Sequence, residues 1–125
     1  IAESEKYVKE TKIDLMALGI GNAHGFYNDL EGLKTDILKE ASNKLNKNQL
    51  YVLHGGTGLP DEIVKEAISY GVVKINVSTQ IKKITMDILN KYTSENELYN
   101  EISFNNLMID ELSILFESYL NKYTK

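Results

Sequence analysis

The chain has two histidines, and both stand where chemistry could be mounted. His24 closes the stretch Leu15-Met16-Ala17-Leu18-Gly19-Ile20-Gly21-Asn22-Ala23 and is followed by Gly25, while His54 follows Leu50-Tyr51-Val52-Leu53 and opens Gly55-Gly56-Thr57-Gly58. Neutral imidazole is a common zinc ligand, and glycines, lacking Cβ, let backbone N–H groups come close to a phosphate. Each signal alone has a plainer reading. A histidine after a strand is often only a loop or hydrogen-bonding residue, and a Gly-Gly-Thr-Gly run is most often a flexible turn. The pairing raises the weight of both: if the two apolar runs are parallel strands, their C-terminal ends share one rim, and the two imidazoles would converge there on one ion. Beyond Gly58, Leu59-Pro60-Asp61-Glu62 reads as a helix start, with Pro at the first helical position and acids at the positive end. Its unpaired N–H groups, together with the Thr57 hydroxyl, suit an anion.

Other candidate motifs fall away. Gly19-Ile20-Gly21-Asn22-Ala23-His24 comes close to a dinucleotide fingerprint but has His where the third glycine belongs, and no Walker sequence occurs. Asn76-Val77-Ser78 has the form of a glycosylation sequon; without a secretion signal it reads as a strand end, with Lys74 as a strand flank.

The elements that must hold these residues can be traced by hydrophobic period. A first helix covers Ser4 to Glu10. Ile13 to Gly21 is an apolar run interrupted by glycines, which favours a buried strand ending at His24. Leu33, Ile37, Leu38, Ala41 and Leu45 recur at helical spacing up to Asn46-Lys47-Asn48. Leu50 to Leu53 is a second strand, Ile63, Val64, Ala67 and Ile68 line a helix that Gly71 ends, and Val72 to Val77 is a third, β-branched strand. Ser78 or Thr79 caps a helix carrying Ile81, Ile84, Ile88, Leu89 and Tyr92. A last helix carries Met108, Leu112, Leu115, Phe116, Tyr119 and Tyr123 at core spacing. The alternation predicts an α/β fold of parallel βα units whose strands are apolar on both faces. Three strands cannot close a barrel, and a (β/α)₈ barrel takes about 250 residues, so the chain corresponds to roughly half of one. Ile1, already inside a helix, reads as the continuation of something longer.

With 125 residues, 42% hydrophobic and 26% charged, the composition is that of one globular domain. The expected organisation is a single partial domain over 1–125, with barrel units over 1–99 and a C-terminal helix over 100–125. A net charge of −4, with Lys interleaved among acids, leaves no basic patch for nucleic acid or an anionic membrane. The absence of cysteine excludes thiolate metal sites and disulfides and fits a reducing compartment. No secretory leader opens the chain and no apolar run approaches the roughly 20 residues of a membrane span, so a cytoplasmic protein is expected.

Three segments in this order and spacing, Gly21-Asn22-Ala23-His24-Gly25, Leu53-His54-Gly55-Gly56-Thr57-Gly58-Leu59-Pro60 and Lys74-Ile75-Asn76-Val77-Ser78-Thr79, resemble the class II, zinc-dependent fructose-bisphosphate and tagatose-bisphosphate aldolases. The resemblance fades from about Asn100. It implies a TIM (β/α)₈ barrel of which this chain is the C-terminal part, about strands six to eight. The activity it implies is reversible cleavage of a ketose 1,6-bisphosphate to dihydroxyacetone phosphate and glyceraldehyde 3-phosphate, a glycolytic lyase reaction. It further implies that His24 and His54 are two of three zinc-binding histidines. Gly25, Gly55, Gly56, Thr57, Asn76, Val77, Ser78 and Thr79 would line the dihydroxyacetone phosphate site, with Asn76 steadying the enediolate and a monovalent cation, Na⁺ or K⁺, near the phosphate loops. Thr57 stands where the family more often has Ser. By the same resemblance the third histidine, the catalytic Asp and an acidic residue of the fifth strand fall before Ile1, so the chain alone is expected to be inactive. A different expectation is a non-catalytic phosphosugar-binding or assembly module built on the same fold. Open strand edges also predict self-association, a homo-oligomer.

Overall fold

Three short apolar segments, β1 (Leu15–Ala17), β2 (Leu50–Leu53) and β3 (Val72–Ile75), form a parallel sheet in the order β1-β2-β3 in a computed structural model that describes residues 1–27, 29–45, 48–94 and 100–124. Parallel pairing requires crossovers, and helices supply them: α2 (Asp36–Lys44) joins β1 to β2, and α3 (Asp61–Ser69) joins β2 to β3. α1 (Ala2–Thr11) precedes β1 and stops at Lys12, whose φ of 54° is left-handed and whose N–H returns to the Val8 carbonyl. By Cα proximity the chain divides into two units, Ile1–Val77 and Ser78–Lys125.

The first unit holds nearly all of the core. Tyr51 and Leu53 of β2, Ile20 after β1, Leu38 of α2, Leu59, and Val64 of α3 are all 2% exposed or less. Burying an aliphatic side chain to that degree stabilises by about 1.5–3 kcal/mol, so this cluster is what holds the strand ends in register. α3 begins after Pro60, whose φ of −58° and ψ of 151° place it at the cap rather than in the first turn; Gly71 ends the helix as predicted, with φ 95° and its N–H on the Ile68 carbonyl.

Pairing along β1 and β2 is regular, Leu15 with Leu50, Met16 with Tyr51 and Ala17 with Val52. Between β2 and β3 it is not. Tyr51 pairs with Val72, but Val52 pairs with Lys74 and Leu53 with Ile75, so Val73 is a surplus residue in β3. The ladder then runs on past β3, with the Asn76 N–H donating to the Leu53 carbonyl and the Gly56 N–H to the Asn76 carbonyl, both at 2.9 Å.

Two expectations are corrected. The first strand is three residues rather than the run from Ile13 to Gly21, because the chain leaves the ladder early: the Ile20 N–H goes to the Asn22 side chain at 3.3 Å and its carbonyl accepts the Lys34 N–H at 2.7 Å. That same bond holds Lys34 outside a helix, so α2 starts at Asp36 and not at Leu33. As three strands alone imply, the sheet is left partly open, with Leu15, Leu50 and Val73 42%, 40% and 58% exposed. The stop near Asn46-Lys47 lies outside the described residues, although α2 itself ends at Lys44.

In the second unit α4 (Thr79–Ser94) and α5 (Glu101–Tyr123) pack on each other, with the Tyr92 and Phe104 rings edge-on at 5.3 Å. Asn100 caps α5 by accepting the Ser103 N–H. Leu112, Leu115 and Tyr119 are half-buried, whereas Phe116, expected among them, is largely exposed. Among the described residues no helix is long and apolar enough to cross a membrane.

Candidate functional site

β2 carries the chain to Leu53 in the core, and the next residue, His54, stands half-buried at the strand's C-terminal end. His24 arrives by a different route, on the loop that follows β1. The structure brings the two rings together, with centroids 6.0 Å apart and planes at 61°. A metal bound to an imidazole at about 2.1 Å lies about 3.2 Å from that ring's centroid, so a separation of 6.0 Å is short enough for a shared ion when each ring turns a nitrogen toward it.

Asn76 completes the cluster from the end of β3. Its Nδ2 is 3.2 Å from His54 Nδ1, and its Oδ1 accepts a hydrogen bond from the Lys74 ammonium. Lys can only donate, so it fixes which end of the amide is oxygen and leaves the NH₂ facing the ring. An amide NH₂ is also only a donor. The contact is a hydrogen bond in the tautomer of His54 that leaves Nδ1 with its lone pair.

The two histidine loops are tied directly to each other. Asn22 Nδ2 donates to the His54 carbonyl at 2.7 Å, the Tyr27 hydroxyl donates to the Gly55 carbonyl at 2.9 Å, and that hydroxyl accepts the Ala23 N–H at 3.3 Å. Gly55 has φ 65°, and a Cβ there would collide with the Ala23 carbonyl oxygen and approach the Tyr27 hydroxyl to 2.9 Å. Gly56 serves close approach on the other side: a Cβ would collide with the Ile75 side chain and come within 3.3 Å of Val77 Cγ2. Its N–H is already committed to Asn76, so it is not a free anion donor. Thr57 is buried at 2% exposure, while Gly25 has φ 117° and open space around its Cα. Asp61 and Glu62 occupy the first turn of α3, where their carboxylates compete for its positive end.

Of the residues singled out in the sequence, the first unit gathers His24, His54, Gly55, Gly56, Asn76 and Val77, with Thr57 following directly in the His54 loop. Ser78 and Thr79 belong to the second unit: Thr79 opens α4, and the Ser78 carbonyl accepts the Lys82 N–H at 3.0 Å. Three positioning groups went unassigned in the sequence. In the sequence Asn22 belongs to a motif without a role of its own, Lys74 reads as a flank, and Tyr27 carries no signal. Only Lys74 had one to give, since residues two apart on a strand share a face and Asn76 is two residues on. Among the described residues no group of three or more His, Asp or Glu is placed to hold a metal, so the chain offers two ring nitrogens and not a full ligand set.

Residues 1–123 match the profile of a family described as fructose-bisphosphate aldolase class-II. The chain is 51% identical over 69 residues to a fructose-bisphosphate aldolase of Ureaplasma parvum, which spans 54% of this chain and 23% of that protein. It is 41% identical over 80 residues to a sulfofructosephosphate aldolase of Alkalicoccus urumqiensis, covering 64% of this chain and 27% of that one. The crystal structure of the YdjI aldolase from Escherichia coli K12 superposes with a TM-score of 0.75 at 22% identity, over 98% of this chain and 43% of that one. The matched segments are thus about a quarter of the length of these curated relatives, and this chain spans less than half of the solved one.

Proposed function

Because this chain belongs to the class II fructose-bisphosphate aldolase family, we propose that it forms the part of a ketose-bisphosphate aldolase barrel that carries two zinc-binding histidines and the cradle for dihydroxyacetone phosphate. In this reading β1, β2 and β3 are the sixth, seventh and eighth strands. Phosphate sites in such barrels form after strands seven and eight, and the glycine loop here follows β2 while Asn76 and Val77 follow β3.

The observation that carries the proposal is the His24–His54 pair at 6.0 Å with the Asn76 amide on the His54 ring. His24 and His54 hold the zinc, with the remaining ligands and the proton-transferring carboxylate supplied by residues outside this chain. When bound, zinc supplies a Lewis acid that polarises the ketose carbonyl. Asn76, whose amide lies against the His54 ring, would donate its N–H to an oxygen of the three-carbon fragment and so steady the enediolate. Gly25, Gly55, Gly56, Thr57 and Val77 shape the backbone that faces the phosphate, and the family resemblance adds Ser78 and Thr79. Holding the fragment there converts binding into orientation for C3–C4 cleavage. A monovalent cation beside the phosphate belongs to the same reading. The relatives named above include a sulfofructosephosphate aldolase as well as a fructose-bisphosphate aldolase, so the ketose is left at the level of a phosphorylated sugar.

The lack of a third ligand among the described residues favours a second reading, a phosphosugar-binding module without chemistry. Zinc content, binding of dihydroxyacetone phosphate by calorimetry and cleavage of fructose 1,6-bisphosphate separate the two. Stoichiometric zinc that is lost in both His24→Ala and His54→Ala supports the aldolase site. Phosphosugar binding with no zinc requirement supports the module, and absence of both zinc and phosphosugar binding in the protein that supplies the remaining ligands overturns both.

A further inference from the structure

We propose that Asn22 and Tyr27 are positioning residues, a two-point clasp that sets the distance and angle between the His24 and His54 rings; its relevance to a metal rests on the reading above. The β1 loop would otherwise be free to choose its own place. His24 is exposed and is separated from the end of β1 by six residues with no ladder bonds to β2, so nothing in the sheet fixes it. What ties this loop to the His54 loop is a pair of side-chain bonds to consecutive carbonyls, Asn22 to His54 at 2.7 Å and Tyr27 to Gly55 at 2.9 Å. The two donors flank His24 in the chain, one two residues before it and one three after. A ring held between two anchors on one side, facing a ring whose own backbone carries the first acceptor, has little freedom left.

The clasp is closed on itself as well. Asn22 Oδ1 takes the Ile20 N–H and the Tyr27 hydroxyl takes the Ala23 N–H, so each side chain bonds its own loop and the opposite loop at once. Gly55 must lack a Cβ for this approach, because that atom would occupy the space of the Ala23 carbonyl. Groups that orient metal ligands without touching the metal commonly change affinity by about 10–100-fold when removed.

The test uses the 125-residue chain with zinc or cobalt alone as the probe, and NMR of the metal-free chain for the ring pair. Tyr27→Phe removes one hydroxyl, Asn22→Asp replaces the donor by a charged acceptor that repels the His54 carbonyl, and Tyr70→Phe, whose hydroxyl bonds Glu66 on α3, is the control. The expected result is about a tenfold loss of metal affinity in each clasp variant, and weakened ring-to-ring nuclear Overhauser effects between His24 and His54 without metal, with the control unchanged in both. Ring contacts and metal affinity equal to those of the unaltered chain in Tyr27→Phe and Asn22→Asp overturn the clasp. If the unaltered chain binds no zinc but its ring contacts depend on Tyr27, the clasp stands, and the two histidines do not hold the ion without the ligands from outside the chain. Should either variant fail to fold, hydrogen exchange of the Ala23 amide in the unaltered chain decides: protection supports the clasp, and exchange at the free rate overturns it.

Discussion

Asn76 stands beside His54, its Nδ2 3.2 Å from the ring's Nδ1, because β3 bulges out the one residue it holds in surplus over β2 and keeps Ile75 paired with Leu53. Strict alternation along β3 would put Val72, Lys74 and Asn76 on one face and sink the lysine with the buried valine, at the cost of an unpaired ammonium in the core. Instead Val72 is buried while Val73 and Lys74 are both exposed. After that shift Lys74 and Asn76 share the face on which His54 lies. The bulge that absorbs Val73 thus keeps Lys74 and Asn76 in register with His54.

Deleting Val73 should therefore leave the pairing Leu53 with Ile75 intact and keep zinc affinity within about threefold, since only the surplus residue is lost. Inserting one alanine between Lys74 and Ile75 moves Asn76 off the His54 face and should lower zinc affinity by about tenfold or more. Calorimetric titration of both variants checks the pair; equal affinities would refute the register argument.

The Lys74 contact turns the Asn76 NH₂ toward His54, which favours the tautomer that leaves Nδ1 with its lone pair. A carboxylate at the same place cannot donate, so Asn76→Asp should switch His54 to the form protonated at Nδ1. Nitrogen-15 shifts of the ring in the metal-free chain read this directly. Lys74→Met should leave the amide free to rotate and give averaged shifts for the same ring.

Gly55 and Gly19 should respond oppositely to alanine. Gly55→Ala demands a left-handed backbone and a Cβ in the space of the Ala23 carbonyl, and should cost about 1–3 kcal/mol with loss of the His24–His54 contact. Gly19 has no left-handed φ and nothing within 4 Å of its Cβ position. Gly19→Ala should be neutral or stabilising by about 0.4–1 kcal/mol through the unfolded state. Urea titrations of the two variants give the comparison.

Tyr51 is 1% exposed, and its hydroxyl has no hydrogen-bond partner among the described residues; burial alone holds its ionisation above the usual phenol range. Removing an unsatisfied buried hydroxyl while keeping the ring should stabilise, so Tyr51→Phe is expected to raise stability by about 1 kcal/mol, seen as a higher melting midpoint. A lower midpoint would mean the hydroxyl has a partner.

Exposed apolar side chains on the strands, Leu15, Leu50 and Val73, should make the chain associate with increasing concentration. Sedimentation velocity over a concentration series measures this, and Val73→Lys should reduce it. A concentration-independent monomer would show that the open sheet face is tolerated.

Much of the site could be read from residue order, because it rests on local chemistry. Apolar runs ending at His24 and His54 specify strand ends, Gly71 specifies a helix stop, and glycines after His54 specify a loop without Cβ atoms, each by rules that act over a few residues. What residue order could not reveal depends on which atoms meet across the sheet. The Tyr27 bond to Gly55 spans 28 positions and the Asn76 contact with His54 spans 22, and neither exists until the strands have paired in register. The bulge at Val73 keeps Asn76 in register with His54, and no periodicity in a four-residue strand encodes it. Burial chose the register, keeping Val72 inside and Lys74 out, and that choice decided which polar side chains share the rim.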